Sequence, residues 1–372
     1  MKIKKVFART LLDSRKKQTI EIFINGIGGA APSGTSKSKF EALDYTLPIP
    51  LIVKEINKNL AKKLKNFKFE RFEDLKKIEN LCSAYGGNPC IALEFALLKA
   101  WAKDEKKELW ELLNPRAKNF PRILANVVGG GAHAPKSKLK IQEILISPRE
   151  NSFENDVKTA KMVHRALAKF SIKMKTLENA WIINKPLPEI LKLISKLNHS
   201  VEIGCDFAAS NFWVNNKYHW PFGSLNSIEH FKYVSELIEK FKLFYVEDPF
   251  HQSAFLDFKK LTNKFKYTLI CGDDLIATNL IRLKQAIAER AINTVIIKPN
   301  QAGSLIKTKE VLDLAFTNDI TPVLSHRSGE TLDNTIADLA FAWQVPLVKF
   351  GISGKERLAK LNRLIEIEKR IK

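Results

Sequence analysis

The chain has 372 residues, 45% of them hydrophobic with 23 Phe and 6 Trp, and 61 Lys+Arg against 40 Asp+Glu give it a formal charge of +21. That apolar content excludes a disordered chain, and the length calls for two domains or one barrel with an added module. The basic residues are spread along the chain and mixed with acids, as in "NKNLAKKLKNFKFERFEDLKK", a pattern of solvated faces in which no nucleic-acid-binding arm stands out.

Residues 1 to about 30 read as strands around a turn: "KIKKVFARTLL", "DSRKKQ", "TIEIFING". Charges interrupt every apolar group of the N-terminus, so no signal peptide is evident. No stretch reaches the roughly 18 apolar residues of a membrane span. The Gly/Ala/Ser/Pro-rich segment "GIGGAAPSGTSKSK" reads as a mobile loop. Helical patterns follow in "PLIVKEINKNLAKKLKNF" and "NPCIALEFALLKAWAKDEKKELWELL". "NPRAKNFP", residues 114–121, carries two prolines and no apolar periodicity and marks a boundary. The domains expected are 1–115, α+β with the mobile loop, and 116–372.

Beyond that boundary eight short β-rich runs recur: "RILANVV", "IQEILISP", "VEIGCDFAAS", "LFYVEDPF", "TLICGDDLI", "TVIIKPNQ", "TPVLSHRS" and "PLVKFG". Amphipathic segments such as "SIEHFKYVSELIEKF" and "IRLKQAIAERAI" separate the later ones. Continuous apolar strands alternating with helices imply βα units and a parallel sheet. Eight in about 250 residues fit a closed (β/α)8-type barrel, irregular at its start because the first two runs lack a helix between them. The four cysteines, Cys82, Cys90, Cys205 and Cys271, form no CxxC pair. They are expected as buried free thiols of a reducing, cytoplasmic compartment.

Polar residues break these runs at their C-terminal ends: Asp206, Glu247, Asp273, Lys298, His326 with Arg327, and Lys349. Their spacings of 41, 26, 25, 28 and 23 residues approach one βα unit each in the later part, so a barrel would gather them at one mouth. Any one alone has a bland reading as a helix cap or turn residue. Together, three crowded carboxylates repel unless a cation sits among them, and an all-oxygen donor set selects a hard ion, Mg²⁺ or Mn²⁺. Lys298 beside such an ion would have a lowered pKa and suit a general base. His326, Arg327, Ser328 and Lys349 would form a wall for a phosphate or carboxylate. That inventory describes proton abstraction next to a carboxylate, through an enolate held by the metal.

The motifs resemble the enolase (phosphopyruvate hydratase) family nearly end to end. "LLDSRKKQTIEI" is similar to its N-terminal hairpin and "APSGTSKSKFEAL" to its mobile loop. "LANVVGGGAHA" and "KIQEILISP" resemble its first barrel strands, and "DFAAS", "VEDP", "GDDLIATN", "IKPNQAGSL", "SHRSGET", "IADLA" and "ERLAKLNRL" follow in family order. A Lys or His base working with one or two Mg²⁺ ions is the general pattern of enolase-superfamily sites. The resemblance implies an α/β fold, an N-terminal α+β domain on a ββαα(βα)6 barrel. It implies a lyase (hydro-lyase) of glycolysis and gluconeogenesis, interconverting 2-phosphoglycerate and phosphoenolpyruvate with two Mg²⁺ per active site.

By position, Asp206, Glu247 and Asp273 would bind metal and Lys298 would take the α-proton. Arg327 and Ser328 would hold phosphate, with His326 and Lys349 on phosphate or carboxylate. His133, Gln142 and Glu143 would line the substrate side, and Ser36 would close over substrate and the second Mg²⁺ as part of a lid. The family's "GDEGGFAP" becomes "TLENAWIIN", which aligns Glu178 with the acid that protonates the leaving hydroxide but loses the preceding Asp and both glycines. The lid threonine is Lys37, and "AASEF" has become "AASNF" with Asn211. The family implies a homodimer or larger homo-oligomer, with a small phosphorylated carboxylate rather than nucleic acid as the main partner, and no membrane. Two alternatives stand beside this reading: an enolase-like protein acting on a related carboxylate without dehydration, and a non-catalytic, RNA-binding protein.

Overall fold

The computed structural model describes residues 1–34, 38–134, 137–197 and 200–371. Strands β1 (Val6–Leu12) and β2 (Gln18–Ile24) form the hairpin expected from the sequence, in register from Val6↔Ile24 to Leu12↔Gln18. Its turn is tied by Asp13 Oδ1, which accepts from Arg15 N (2.8 Å) and Lys17 N (3.0 Å). Alternation puts Ile20, Ile22 and Ile24 of β2 on the buried face.

A third antiparallel strand, β3 (Ile27–Ala30), pairs with β2 inside the segment that the sequence presents as loop. Two of its four residues are glycine, so neither propensity nor alternation announces it. The helix Gly87–Asp104 explains the composition: a Cβ on Gly29 would lie 2.3 Å from Ala96 N and 2.4 Å from Ala92 O. The helix is buried along nearly its whole length, as expected of one that is apolar all round. The expected helix at 50–67 runs from Ile49 to Leu64, with its middle five residues, Ile56–Leu60, wound as a π-turn. Residues 114–121 carry no helix or strand.

The barrel then closes. Its strands are β4 (Arg122–Ile123), β5 (Ala125–Gly129), β6 (Glu143–Pro148), β7 (Val201–Asp206), β11 (Tyr245–Glu247), β12 (Leu269–Gly272), β13 (Thr294–Ile297), β14 (Thr321–Ser325) and β15 (Leu347–Lys349). Between β7 and β11 a separate ribbon of β8 (Trp213–Val214), β9 (Lys217–Trp220) and β10 (Gly223–Leu225) is a feature that the sequence does not announce. The main sheet runs β4-β15-β14-β13-β12-β11-β7-β6-β5. β4 and β5 are one strand interrupted at Leu124, whose N–H donates to Val348 O (2.8 Å), so the sheet closes with eight effective strands.

β6 is antiparallel to both β5 and β7, and the remaining pairs are parallel. The helices Phe153–Leu167 and Leu187–Ser195 separate β6 from β7, giving the expected ββαα start. Leu124, Leu145, Tyr245, Cys271, Ile296, Val323 and Leu347 fill the interior, so the barrel is a packed core with its chemistry at one end. All four cysteines are buried free thiols.

Candidate active site

The strand ends deliver their polar side chains to one mouth. Asp206 ends β7, Glu247 ends β11, Asp273 follows β12, Lys298 follows β13, His326–Ser328 follow β14, and Lys349 ends β15. Because β6 runs the opposite way, Glu143 at its start faces Asp206 across the ladder and joins the same end. Gln142, Glu143, His133, Glu178, Asp206, Asp273, Lys298, His326, Arg327, Ser328 and Lys349 all line one cleft that opens to solvent. Glu247 lies just beneath it, fully buried. Ser36 and Lys37 lie outside the described residues.

Every cation at this mouth is met by a carboxylate. Lys349 Nζ sits 2.9 Å from Asp206 Oδ2, 2.8 Å from Glu247 Oε2 and 3.0 Å from Glu143 Oε2. Lys298 pairs with Asp273, whose other oxygen accepts from Gln301 Nε2 at 3.2 Å. Arg327 places both Nη atoms 2.9 Å from Glu41 Oε2. His326 Nε2 is 3.3 Å from Glu178 Oε2.

The three expected ligands are therefore not drawn into a single cluster, since Lys349 gathers Asp206 and Glu247 while Lys298 takes Asp273. Among the described residues, the groups whose ligand atoms close to within 4.8 Å are His133–Glu143–Glu178 and Asp248–Asp273–Asp274. Asp248, not among the residues expected from the sequence, accepts from Asp273 N (3.1 Å) and Asp274 N (2.6 Å) in a backbone bent to φ 41°. Its signal was present: the second acid of "VEDP" held rigid before a proline.

Crowding shows in the protonation of these groups. Burial, with Asp206 nearby, raises Glu247 to about 8 against the pull of Lys349. Burial and Asp273 raise Asp274 to about 7. Burial likewise pushes Glu143 well above the usual range, beyond what Lys349 offsets. Glu178 goes the other way: burial disfavours its charge, but His326, His133 and Arg357 together hold it well below the usual range. At Lys298 the ammonium form is favoured by the neighbouring carboxylate. Burial pulls its pKa down, and the Asp273 carboxylate more than offsets that.

Glu178 reaches the site on a hairpin that replaces the glycine-containing turn. Across it Thr176 N donates to Ala180 O (2.9 Å) and Ala180 N donates to Thr176 Oγ1 (3.3 Å), and Trp181 joins β5 through Gly129 N→Trp181 O (3.0 Å) and Trp181 N→Val127 O (3.1 Å). Asn179 takes φ 64°, a left-handed conformation that Asn tolerates better than most residues and that glycine would adopt freely. The hairpin leaves Glu178 5% exposed, with Asn126 Nδ2 bridging Glu143 Oε1 (2.6 Å) and Glu178 Oε2 (3.4 Å).

The donor set fits a divalent cation. Apart from His133 it is all carboxylate oxygen, the acids outnumber the cations, and Glu247 Oε1 is buried with no hydrogen-bond partner among the described residues. The N-terminal segment is pinned to the same mouth. Ser33 and Gly329 exchange backbone hydrogen bonds (2.8 and 2.9 Å), and Arg15 Nη1 approaches Ser328 Oγ at 3.5 Å. Glu41, four residues beyond the "SGTSK" motif, is a further site residue beyond those expected, although it stands within "KFEAL".

The enolase C-terminal TIM barrel domain model matches residues 117–372. An enolase of Methanosphaera stadtmanae is 35% identical over 99% of this chain and 97% of its own length. Enolases of Methanocorpusculum labreanum (37% identical, 98% of each chain) and Sulfolobus acidocaldarius (32%, 99% and 95%) are similar throughout. Among the described residues no helix is long and apolar enough to cross a membrane. With its barrel matched in full and relatives aligned from end to end, the chain belongs to the enolase family.

Proposed function

We propose that the protein is a Mg²⁺-dependent phosphopyruvate hydratase that interconverts 2-phosphoglycerate and phosphoenolpyruvate. The observation that carries this reading is the order of groups around the mouth. Lys298 on β13 and Glu143 on β6 are four strands apart in a barrel of eight effective strands, and so face each other across it. The acids of β7, β11 and β12 occupy one arc between them, and the cationic residues of β14 and β15 occupy the other.

Such a mouth suits elimination from opposite faces of one substrate. Lys298, as the free amine, takes the proton from the carbon beside the carboxylate. The C–O bond on the next carbon breaks, and the departing hydroxide takes a proton from the Glu178 side and leaves as water. Glu143, whose carboxyl burial pushes well above the usual range, lies within 4.8 Å of Glu178 and is the neighbour that can supply that proton. Arg327, Ser328 and His326 hold the phosphate, with Lys349, Gln142 and His133 bordering the rest of the substrate. Asp206, Glu247 and Asp273 would hold one Mg²⁺, which would compete with Lys298 for Asp273 and neutralise the substrate carboxylate, making the neighbouring proton more acidic. Ser36 is assigned to a second Mg²⁺ from the family pattern alone.

The two half-reactions separate the roles. Lys298→Ala should lose both α-proton exchange with solvent and phosphoenolpyruvate formation, by about 10²- to 10⁴-fold. Glu178→Gln should keep exchange and lose dehydration. Wild-type dehydration in Glu178→Gln would remove the acid assignment. Exchange without dehydration in the unaltered protein would favour the related-carboxylate alternative instead.

A further inference from the structure

Arg357 is the largest described side chain with less than 2% exposure; it is wholly buried, in the first turn of the helix Lys355–Ile371. Its Nη2 donates to Ser328 O at 3.0 Å, while Nε and Nη1 are buried with no hydrogen-bond partner among the described residues. A guanidinium cannot shed its proton to escape burial. A buried charge with unsatisfied donors costs stability, and an apolar residue of similar volume is often neutral or better in its place. Packing therefore gives no reason for an arginine here.

The surroundings give one. The space a Cβ would fill at Gly351, where φ is +73°, lies 2.6 Å from Arg357 Cδ, 3.2 Å from Arg357 Nε and 3.1 Å from His326 Cε1. Arginine and imidazole thus meet where glycine leaves room. His326 in turn contacts Glu178, and Ser328 belongs to the same loop. We propose that Arg357 is a positioning residue: it holds the Ser328 carbonyl and supplies the positive charge behind His326 that fixes the anion clamp and the Glu178 carboxylate, without touching substrate. This rests on the roles given above to His326, Ser328 and Glu178, and adds to them a residue outside the cavity lining.

The charged groups facing His326 are Glu178 from the hairpin, Glu330 from its own loop and Arg357 from the C-terminal helix. Glu178 is faced by His326, His133, Glu143 and Arg357. The test uses Arg357→Met and Arg357→Lys, with three readouts. These are thermal unfolding, kcat and KM for 2-phosphoglycerate, and the pH midpoint of the His326 Cε1–H resonance, assigned by its loss in His326→Asn.

Arg357→Met should unfold at or above the wild-type temperature and lose about 10- to 100-fold in kcat. Its His326 midpoint should move to higher pH, because a like charge has gone. Arg357→Lys should return the midpoint towards wild type and recover kcat in part. A lower unfolding temperature with wild-type kcat in Arg357→Met would make the residue merely structural and overturn the proposal. Should Arg357→Met fail to fold, wild-type kcat with an unmoved His326 midpoint in the uncharged Arg357→Gln would overturn it equally. If the unaltered protein does not dehydrate 2-phosphoglycerate, the functional reading fails, and an unmoved His326 midpoint would still refute the role of Arg357.

Discussion

Lys349 shows how a single side chain sets the electrostatics of the mouth. Its ammonium lies within 3.0 Å of Asp206, Glu143 and Glu247, and burial, which opposes its charge, is overcome by those three carboxylates. Removing one partner of a buried ion cluster leaves the others uncompensated, at about 3–5 kcal/mol. Lys349→Met should accordingly lower the unfolding temperature in the presence of chelator, and saturating Mg²⁺ should restore part of the loss by binding the folded state. Equal destabilisation with and without Mg²⁺ would show that no cation reaches these acids. Among single residues the sequence was informative where a polar side chain interrupts an apolar run, as at Asp206, Lys298 and His326. It was silent on which carboxylate meets which cation, because Glu41 and Arg327 are 286 residues apart and only the closed fold brings them together.

Elements carry the departures from the family pattern. The hairpin bearing Glu178 tolerates the loss of its glycines because Asn179, at φ 64°, takes the left-handed position. Asn179→Gly should keep stability and activity within about twofold, whereas Asn179→Ala should cost about 1 kcal/mol of stability and lower kcat by displacing Glu178. Equal behaviour of the two variants in thermal unfolding and turnover would rule out a conformational role for Asn179.

The β8–β10 ribbon, which no alternation announced, is anchored by His230. Trp220 Nε1 can only donate, so its 3.1 Å bond fixes Nδ1 of His230 as acceptor and leaves Nε2–H to donate to Pro249 O at 2.7 Å. Burial lowers this imidazole from 6.5 to about 4, so folding favours its neutral form. A depressed histidine contributes stability that is present above the unfolded value and is lost as pH falls from about 6.5 to about 4, here about 3 kcal/mol. His230→Gln should flatten the fall in unfolding temperature between pH 7 and pH 4.5. An unchanged slope would show that other groups set it.

Over the whole molecule the barrel was legible early and the assembly around it was not. Eight β-rich runs with helices between the later ones specify a closed sheet, since period and strand length are local properties. β3 was hidden because its residues are fitted to contact with the helix Gly87–Asp104, a constraint that acts across about 60 residues and leaves glycine behind. The same holds at the mouth, where Ser33, Arg15 and Glu41 of the N-terminal segment meet the β14 loop. Their roles follow from the closed fold, not from local pattern.

Metal-dependent dehydration at this mouth is tested most directly by phosphoenolpyruvate formation from 2-phosphoglycerate, followed by ultraviolet absorbance before and after chelation. Turnover is expected with Mg²⁺, with loss on chelation and recovery when Mg²⁺ is restored. Turnover indifferent to chelation, or none under any of the three conditions, would refute the proposed function.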